Sequence, residues 1–110
     1  MALYEDFLEF DCRAGRVLEV VEFDEGRSST HILKIDFGPE LGAKKSLARL
    51  APNYQGPELV GRMVLAVVNL PPRQIGPHRS EVLTLGIPDE KGNTVLIRPD
   101  RDVPPGGRLH

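Results

Sequence analysis

Apolar and polar positions along this chain fall into short runs, most of them alternating. Residues 3–10, Leu-Tyr-Glu-Asp-Phe-Leu-Glu-Phe, are different: apolar groups at 3, 4, 7, 8 and 10 have helical spacing and predict a short N-terminal helix. Asp11 to Phe23 reads as a long strand, with Val17, Leu18, Val20 and Val21 as core-facing groups and Gly15 permitting a bend or bulge. Residues 24–29 are a polar loop. His31 to Asp36 alternates as a second strand, Gly38 to Gly42 is a turn, and Lys44 to Leu50 is a third strand carrying Lys44, Lys45 and Arg49. Gly56 to Gly61 predicts one helical turn, with Pro57 suited to its first position and Gly61 to its stop. Arg62 to Val68 and Glu81 to Ile87 are further strands. Asp89 to Asn93 is a hairpin turn, and Thr94 to Arg98 the returning strand. The tail from Val103 to Gly107 reads as rigid at its prolines and loose at its glycines.

Several short strands, a helical turn between the third and fourth, and no alternation of strands with long helices predict an all-β fold. The plan that fits is a five-stranded OB-fold (oligonucleotide/oligosaccharide-binding) barrel with a short N-terminal helix and a short helix between strands 3 and 4. An SH3-like barrel or small sandwich is the structural alternative. At 110 residues the chain is expected to form one domain, 1–110. The abundance of turns agrees: there are eleven Gly and ten Pro.

Composition narrows the setting. Cys12 is the only cysteine, so no internal disulfide forms, and no apolar run approaches a membrane span. The acidic N-terminus lacks the basic and long apolar regions of a secretory signal. The expected location is cytoplasmic, without membrane insertion. Formal net charge is −2, but it is unevenly spread. Residues 1–43 hold four Lys/Arg against ten Asp/Glu, and residues 44–110 hold ten against six. The most lopsided segment is 44–81, where six basic residues face only Glu58 and Glu81. Such a basic face can bind phosphates on an acidic protein; the plainer alternative is a solvated basic surface.

Within that segment, Val64 to Val68 ends at Asn69, and a proline-stiffened stretch displays Arg73, His78 and Arg79 before Ser80-Glu81 opens the next apolar run. The candidate tRNA or RNA contacts are Lys34, Lys45, Arg73 and Arg79 as cations, with Asn69 and Ser80 as neutral hydrogen-bonding groups. Tyr54 is the only aromatic residue within 44–81, so stacking platforms for a single strand are scarce. Recognition of a folded RNA by shape and backbone is the expected mode. Phe7, Leu70, Pro72 and Ile75 are candidates for an exposed peptide groove or a dimer interface, with Leu83 packing under the loop. No metal and no cofactor is expected: His31, His78, His110 and Cys12 are scattered without ligand spacing. Ser80 and His78 belong to no nucleophile elbow, and no phosphate-loop or dinucleotide glycine pattern occurs, so no enzymatic activity is expected.

At this point the residues resemble a family. Asp11-Cys-Arg13-Ala-Gly15-Arg16-Val17, Lys34-Ile-Asp36-Phe-Gly38, and Asn69-Leu-Pro-Pro72-Arg73 followed by Ser80-Glu81 are similar to the motifs of the tRNA-binding domain, which is also appended to methionyl- and phenylalanyl-tRNA synthetases. Asp36 to Gly42, Lys44-Lys45-Ser46, Val67 to Ile75, Ser80 to Leu83 and Pro99 to Pro104 resemble most its stand-alone bacterial branch, the CsaA-type export-related chaperones. The resemblance implies an OB-fold barrel that forms a homodimer through segments at both chain ends. It also implies tRNA as a partner, along with unfolded presecretory proteins and the translocation ATPase. Gln74, Pro77, Val82 and Leu83 depart from the tRNA-binding pattern and make the loop more apolar. The alternative is therefore a pure protein-interaction or secretion chaperone with little tRNA affinity.

Overall fold

A computed structural model describes residues 1–23 and 31–110; the polar loop expected at 24–29 lies outside the described residues. The order of elements is α1 (Tyr4–Leu8), β1 (Cys12–Glu22), β2 (His31–Asp36), α2 (Gly38–Leu41), β3 (Ala43–Ala48), α3 (Gly56–Leu59), β4 (Met63–Val67), β5 (Arg73–Ile75), β6 (His78–Ser80), β7 (Leu83–Thr84), β8 (Gly86–Pro88) and β9 (Thr94–Leu96). Five strands form an antiparallel sheet in the order β3-β2-β1-β4-β7. Strands β5–β6 and β8–β9 are separate hairpins.

Strand β1 is the hinge of the sheet. Its first half pairs with β4, its second half with β2, and Arg16 is matched to both Met63 and Asp36. The ladder then slips between Val17 and Glu19, leaving Leu18 as the extra residue of a bulge. That slip decides which side chains face inward. Val17 lies opposite Ile35 and Val20 opposite Leu33, on the core face, whereas Leu18 is 42% and Val21 59% exposed. The expectation of all four in the core is corrected for Leu18 and Val21. The bulge also falls beyond Gly15, the position expected to supply it. Gly15 has another use: a Cβ there would come within 2.4 Å of Ile35 Cγ2 and 2.7 Å of Phe37 Cε1, so its absence lets the core side chains lie against the backbone.

The barrel interior is filled by Val17, Leu33, Ile35, Phe37, Leu50, Leu59, Val64, Ala66 and Val82. The expected helical turn between strands 3 and 4 is α3, and it plugs one end of the barrel. Leu59 is fully buried, a contribution of about 2 kcal/mol. Gly61, with φ of +89°, carries the chain back so that its amide donates to Val17 O. The Gly38–Gly42 turn forms as the short helical turn α2, with Pro39 near its start and Gly42 at φ +73°.

Closure falls to the segment after β6. The Glu81 amide donates to Lys45 O (2.8 Å), the Lys45 amide donates to Glu81 Oε1 (2.9 Å), and Ser46 Oγ lies 2.7 Å from Thr84 Oγ1. The expected strand from Glu81 to Ile87 is split at Leu85, because its first part completes the barrel while its second pairs with β9. The tail is also not loose. The Gly106 amide donates to Ala14 O, the Ala14 amide to Gly107 O, and the Leu109 amide to Cys12 O, so the tail runs along β1. It fits there because Gly38 and Gly106 face each other closely; a Cβ on Gly38 would meet Pro105 O at 2.5 Å and one on Gly106 would meet Phe37 O at 2.5 Å.

Candidate nucleic-acid interface

The cationic candidates are placed by strand register. On the outer face of the sheet, Lys34 and Lys45 are cross-strand partners, and Glu19 is the partner of Lys34 on the other side. Their side chains sit over a shallow groove of about 300 Å³, floored in part by Val21, Ile32 and Ala43 and walled at one end by Glu81. Lys45 Nζ lies 2.9 Å from His78 Nδ1, within hydrogen-bonding distance. The His78 ring also meets Phe23 edge-on, with centroids 4.9 Å apart. The β5–β6 hairpin is thereby fixed over β3.

The hairpin itself sorts the basic display into two faces. Its pairs are Arg73 with Ser80, Gln74 with Arg79, and Ile75 with His78, joined by Gly76-Pro77. Cross-strand partners share a face. Arg73, Ile75, His78 and Ser80 therefore face β3, while Arg79 and Gln74 point to the opposite side. The sequence displays Arg73 and Arg79 on one stretch; the structure places them on opposite faces of it.

Arg73 stands where two cavities meet. One, of about 130 Å³, lies between the 70–73 segment and the barrel, against Leu47, Leu70, Pro71, Val82 and Leu83. The other, of about 240 Å³, runs between β3 and the β8–β9 hairpin, against Leu47, Arg49, Leu83, Ile87, Pro88 and Leu96. Leu47, Arg73 and Leu83 line both, so the two form one trough, mainly apolar beneath the 70–73 segment and mixed polar and apolar beside β8–β9 where Arg49, Thr84 and Thr94 join it, with a guanidinium on its wall. Leu83 was expected to pack under the loop; it is 43% exposed at the trough, and the buried neighbour is Val82 at 5%. The reason is alternation along the closing segment, which turns Val82 inward and Leu83 outward. Leu70 and Ile75 are half-buried, Pro72 is exposed, and Phe7 lies elsewhere, on α1.

The two neutral candidates are engaged within the fold. Asn69 Oδ1 accepts the Asp11 amide and its Nδ2 donates to Glu9 O, both at 2.8 Å. Ser80 is buried; its Oγ accepts the Leu47 amide and donates to Val82 O, both at 3.0 Å. Tyr54 is likewise structural, its hydroxyl accepting the Leu96 amide and its ring lying under Arg62. The geometry adds Leu47, Ile87 and His78 to the interface. Alternation from Lys45 marks Leu47 as sharing its face, but the Lys45–His78 contact spans 33 residues and has no local signature.

Where the chain ends meet, Asp11 binds Arg13 Nε at 2.6 Å and Arg108 Nε at 3.4 Å. The hydrogen bond and charge of Arg13, helped by Arg108, hold the Asp11 carboxyl below its ordinary value; in return the Asp11 hydrogen bond and charge raise Arg13. Burial pushes the adjacent Cys12 thiol up, which makes it an unreactive core group. Among the described residues no group of three or more His, Cys, Asp or Glu is placed to hold a metal ion, and no helix is long and apolar enough to cross a membrane.

Comparison with known proteins agrees with the fold. The crystal structure of the chaperone CsaA from Bacillus anthracis superposes with a TM-score of 0.93 at 43% identity, covering 100% of this chain and 99% of that one. The CsaA chaperone protein of Picrophilus torridus gives 0.91 at 40% identity, with both chains covered in full. The methionine–tRNA ligase of Porphyromonas gingivalis is 33% identical over 106 residues, 96% of this chain but 15% of the ligase, so the chain spans only a small part of such curated relatives. Residues 12–108 match the family model described as a putative tRNA binding domain. The chain belongs to this tRNA-binding domain family, and within it to the CsaA type.

Proposed function

We propose that residues 1–110 act as one non-enzymatic, homodimeric, cytoplasmic binding module. It takes tRNA or another structured RNA on its basic face and extended segments of unfolded presecretory proteins in the Leu47–Leu83 trough, in the service of protein export and its translocation ATPase. The observation that carries this reading is the position of Arg73, a cation on the wall of a trough lined by Leu47, Leu70, Leu83 and Ile87. Lys34 and Lys45 supply a cationic pair on the neighbouring outer face, and Arg79 a fourth cation on the solvent side of the hairpin. Asn69 and Ser80 serve the site by holding its backbone. The similar methionine–tRNA ligases and the family's description supply tRNA as the RNA class.

One observation favours the protein-only alternative: Arg73 and Arg79 lie on opposite faces and cannot grip one phosphate together. Mobility-shift titrations of total tRNA at two salt concentrations decide between them. Arg73→Ala is expected to weaken tRNA binding and reduce the salt slope by about one unit for its lost phosphate contact. An unchanged affinity and slope would sink the RNA assignment for Arg73. The same variant titrated in parallel with an unfolded, signal-bearing preprotein shows whether the trough serves the protein ligand.

A further inference from the structure

The trough between β3, the 70–73 segment and the β8–β9 hairpin carries a cation that the fold itself leaves unpaired. The charged groups on its walls are Arg49, Arg73 and Glu81. Glu81 is committed to the barrel seam, where its Oε1 accepts the Lys45 amide at 2.9 Å. Arg73 is exposed, and among the described residues its guanidinium makes no hydrogen bond and no ion pair. Beside it lie Leu47 and Leu83, which line both cavities. Among the described residues no aromatic ring lines either cavity, so the trough offers no nucleobase a stacking platform. The cavities, of about 130 and 240 Å³, are also smaller than a small-molecule pocket of about 300–1,000 Å³. They suit side chains projecting from one extended chain, whose same-face residues are spaced about 7 Å apart.

We infer that Arg73 selects what the trough binds: an extended peptide segment with an internal Asp or Glu flanked by apolar residues, its carboxylate paired with the Arg73 guanidinium. The inference rests on the reading of the trough as a site for unfolded protein. Charge complementarity supports it. A segment that lays apolar side chains on Leu47 and Leu83 also covers the guanidinium beside them. A neutral residue there would leave a cation removed from water without a partner, and a Lys or Arg would add like-charge repulsion. A carboxylate meets the planar fork with two parallel hydrogen bonds, and the apolar surroundings strengthen the pair. Arg49 adds a second positive charge to the lining. The basic start of a secretory signal is repelled for the same reason, so the bound segment lies elsewhere in the client.

The test is isothermal titration of the full chain with three acetylated, amidated nonapeptides, made of Leu and Ser around a central Glu, Gln or Lys. The Glu peptide is expected to bind at least about tenfold more tightly than the Gln peptide, and the Lys peptide more weakly than either. Arg73→Ala should bring the Glu and Gln peptides to equal affinity, Arg73→Lys should keep part of the preference, and Arg73→Glu should turn it toward Lys. Leu83→Ser should weaken all three alike and keep their order. Equal binding of the three by the wild-type chain, or a Glu preference that survives Arg73→Ala, would overturn the role assigned to Arg73 while leaving the trough a protein-binding site. A Gln peptide with a free C-terminus that binds as tightly as the Glu peptide would assign the site to chain ends and overturn the internal acid. Indifference of all three to Leu83→Ser would overturn their placement in the trough. Failure of all three to bind would overturn the reading of the trough as a site for unfolded protein, and this inference with it.

Discussion

Ser80 offers the cleanest separation between a ligand contact and a structural one. Its hydroxyl, in a residue only 7% exposed, accepts the Leu47 amide and donates to Val82 O. Ser80→Ala removes little volume, so the cavity cost is small. Val82 O keeps Ser46 Oγ at 3.3 Å, which limits the loss on that side. The Leu47 amide, in a residue 5% exposed, loses its acceptor inside the seam where β3 meets the closing segment. A buried donor left unpaired costs about 1–3 kcal/mol. With a urea slope of about 1.5 kcal/mol/M for a domain of this size, the midpoint should fall by about 0.7–2 M. Protein concentration must be held fixed, because self-association adds to apparent stability. At a temperature where the variant is folded, its tRNA affinity and salt slope should match the parent. A variant with unchanged urea midpoint and weakened tRNA binding would refute this reasoning and return Ser80 to the ligand.

Gly15→Ala tests the core from the other side: its Cβ would lie 2.4 Å from Ile35 and 2.7 Å from Phe37, side chains that are 0% and 1% exposed. Overpacking of this kind should cost about 2–3 kcal/mol in urea unfolding, and a neutral substitution would show that the core yields there. The pH dependence of stability should carry the mark of Asp11. Its carboxyl is lowered from 3.8 by the Arg13 hydrogen bond first and by the charges of Arg13 and Arg108. A lowered folded value means that the stabilisation is present above the unfolded value and is lost as pH falls through the folded one. Asp11→Asn should therefore flatten the acid limb below about pH 4, and an unchanged limb would remove the Asp11–Arg13–Arg108 cluster from the account.

Alternation and turn chemistry made most of the barrel legible. From Leu33 to Asp36 apolar and polar residues alternate, and His31–Asp36 is a strand with His31, Leu33 and Ile35 buried. The Gly92 turn at φ +82° and the Pro57–Gly61 helical turn stood where their residue types require them. What stayed hidden depends on partners distant in sequence. The bulge at Leu18 arises where β1 changes partners from β4 to β2, so nothing within residues 12–22 announces it, yet it turns Val21 outward. The tail's docking needs Gly106 against Phe37, and Asn69 finds Glu9 across 60 residues. Asn69 and Ser80 read as ligand groups in sequence because ligand contacts and internal ties use the same residue types.

The hairpin shows how register, more than composition, governs the basic surface. A strand can gather cations only from alternate positions, so neighbours in sequence separate onto two faces. Arg73 and Arg79 divide in this way, while Lys34 and Lys45, eleven residues apart, meet because β2 and β3 place them opposite each other. The division is set at the turn. Gly76 at φ +57° followed by Pro77 suits a two-residue connection whose first central residue must be left-handed and whose second is fixed near the proline value. Ile75 and His78 then pair, His78 reaches Lys45, and Ser80 enters the barrel seam. A slip of one residue would carry Arg79 toward β3 and expel Ser80, breaking the Leu47 tie that closes the barrel. The same hydroxyl that seals the fold thereby fixes which cations face the trough and which face solvent.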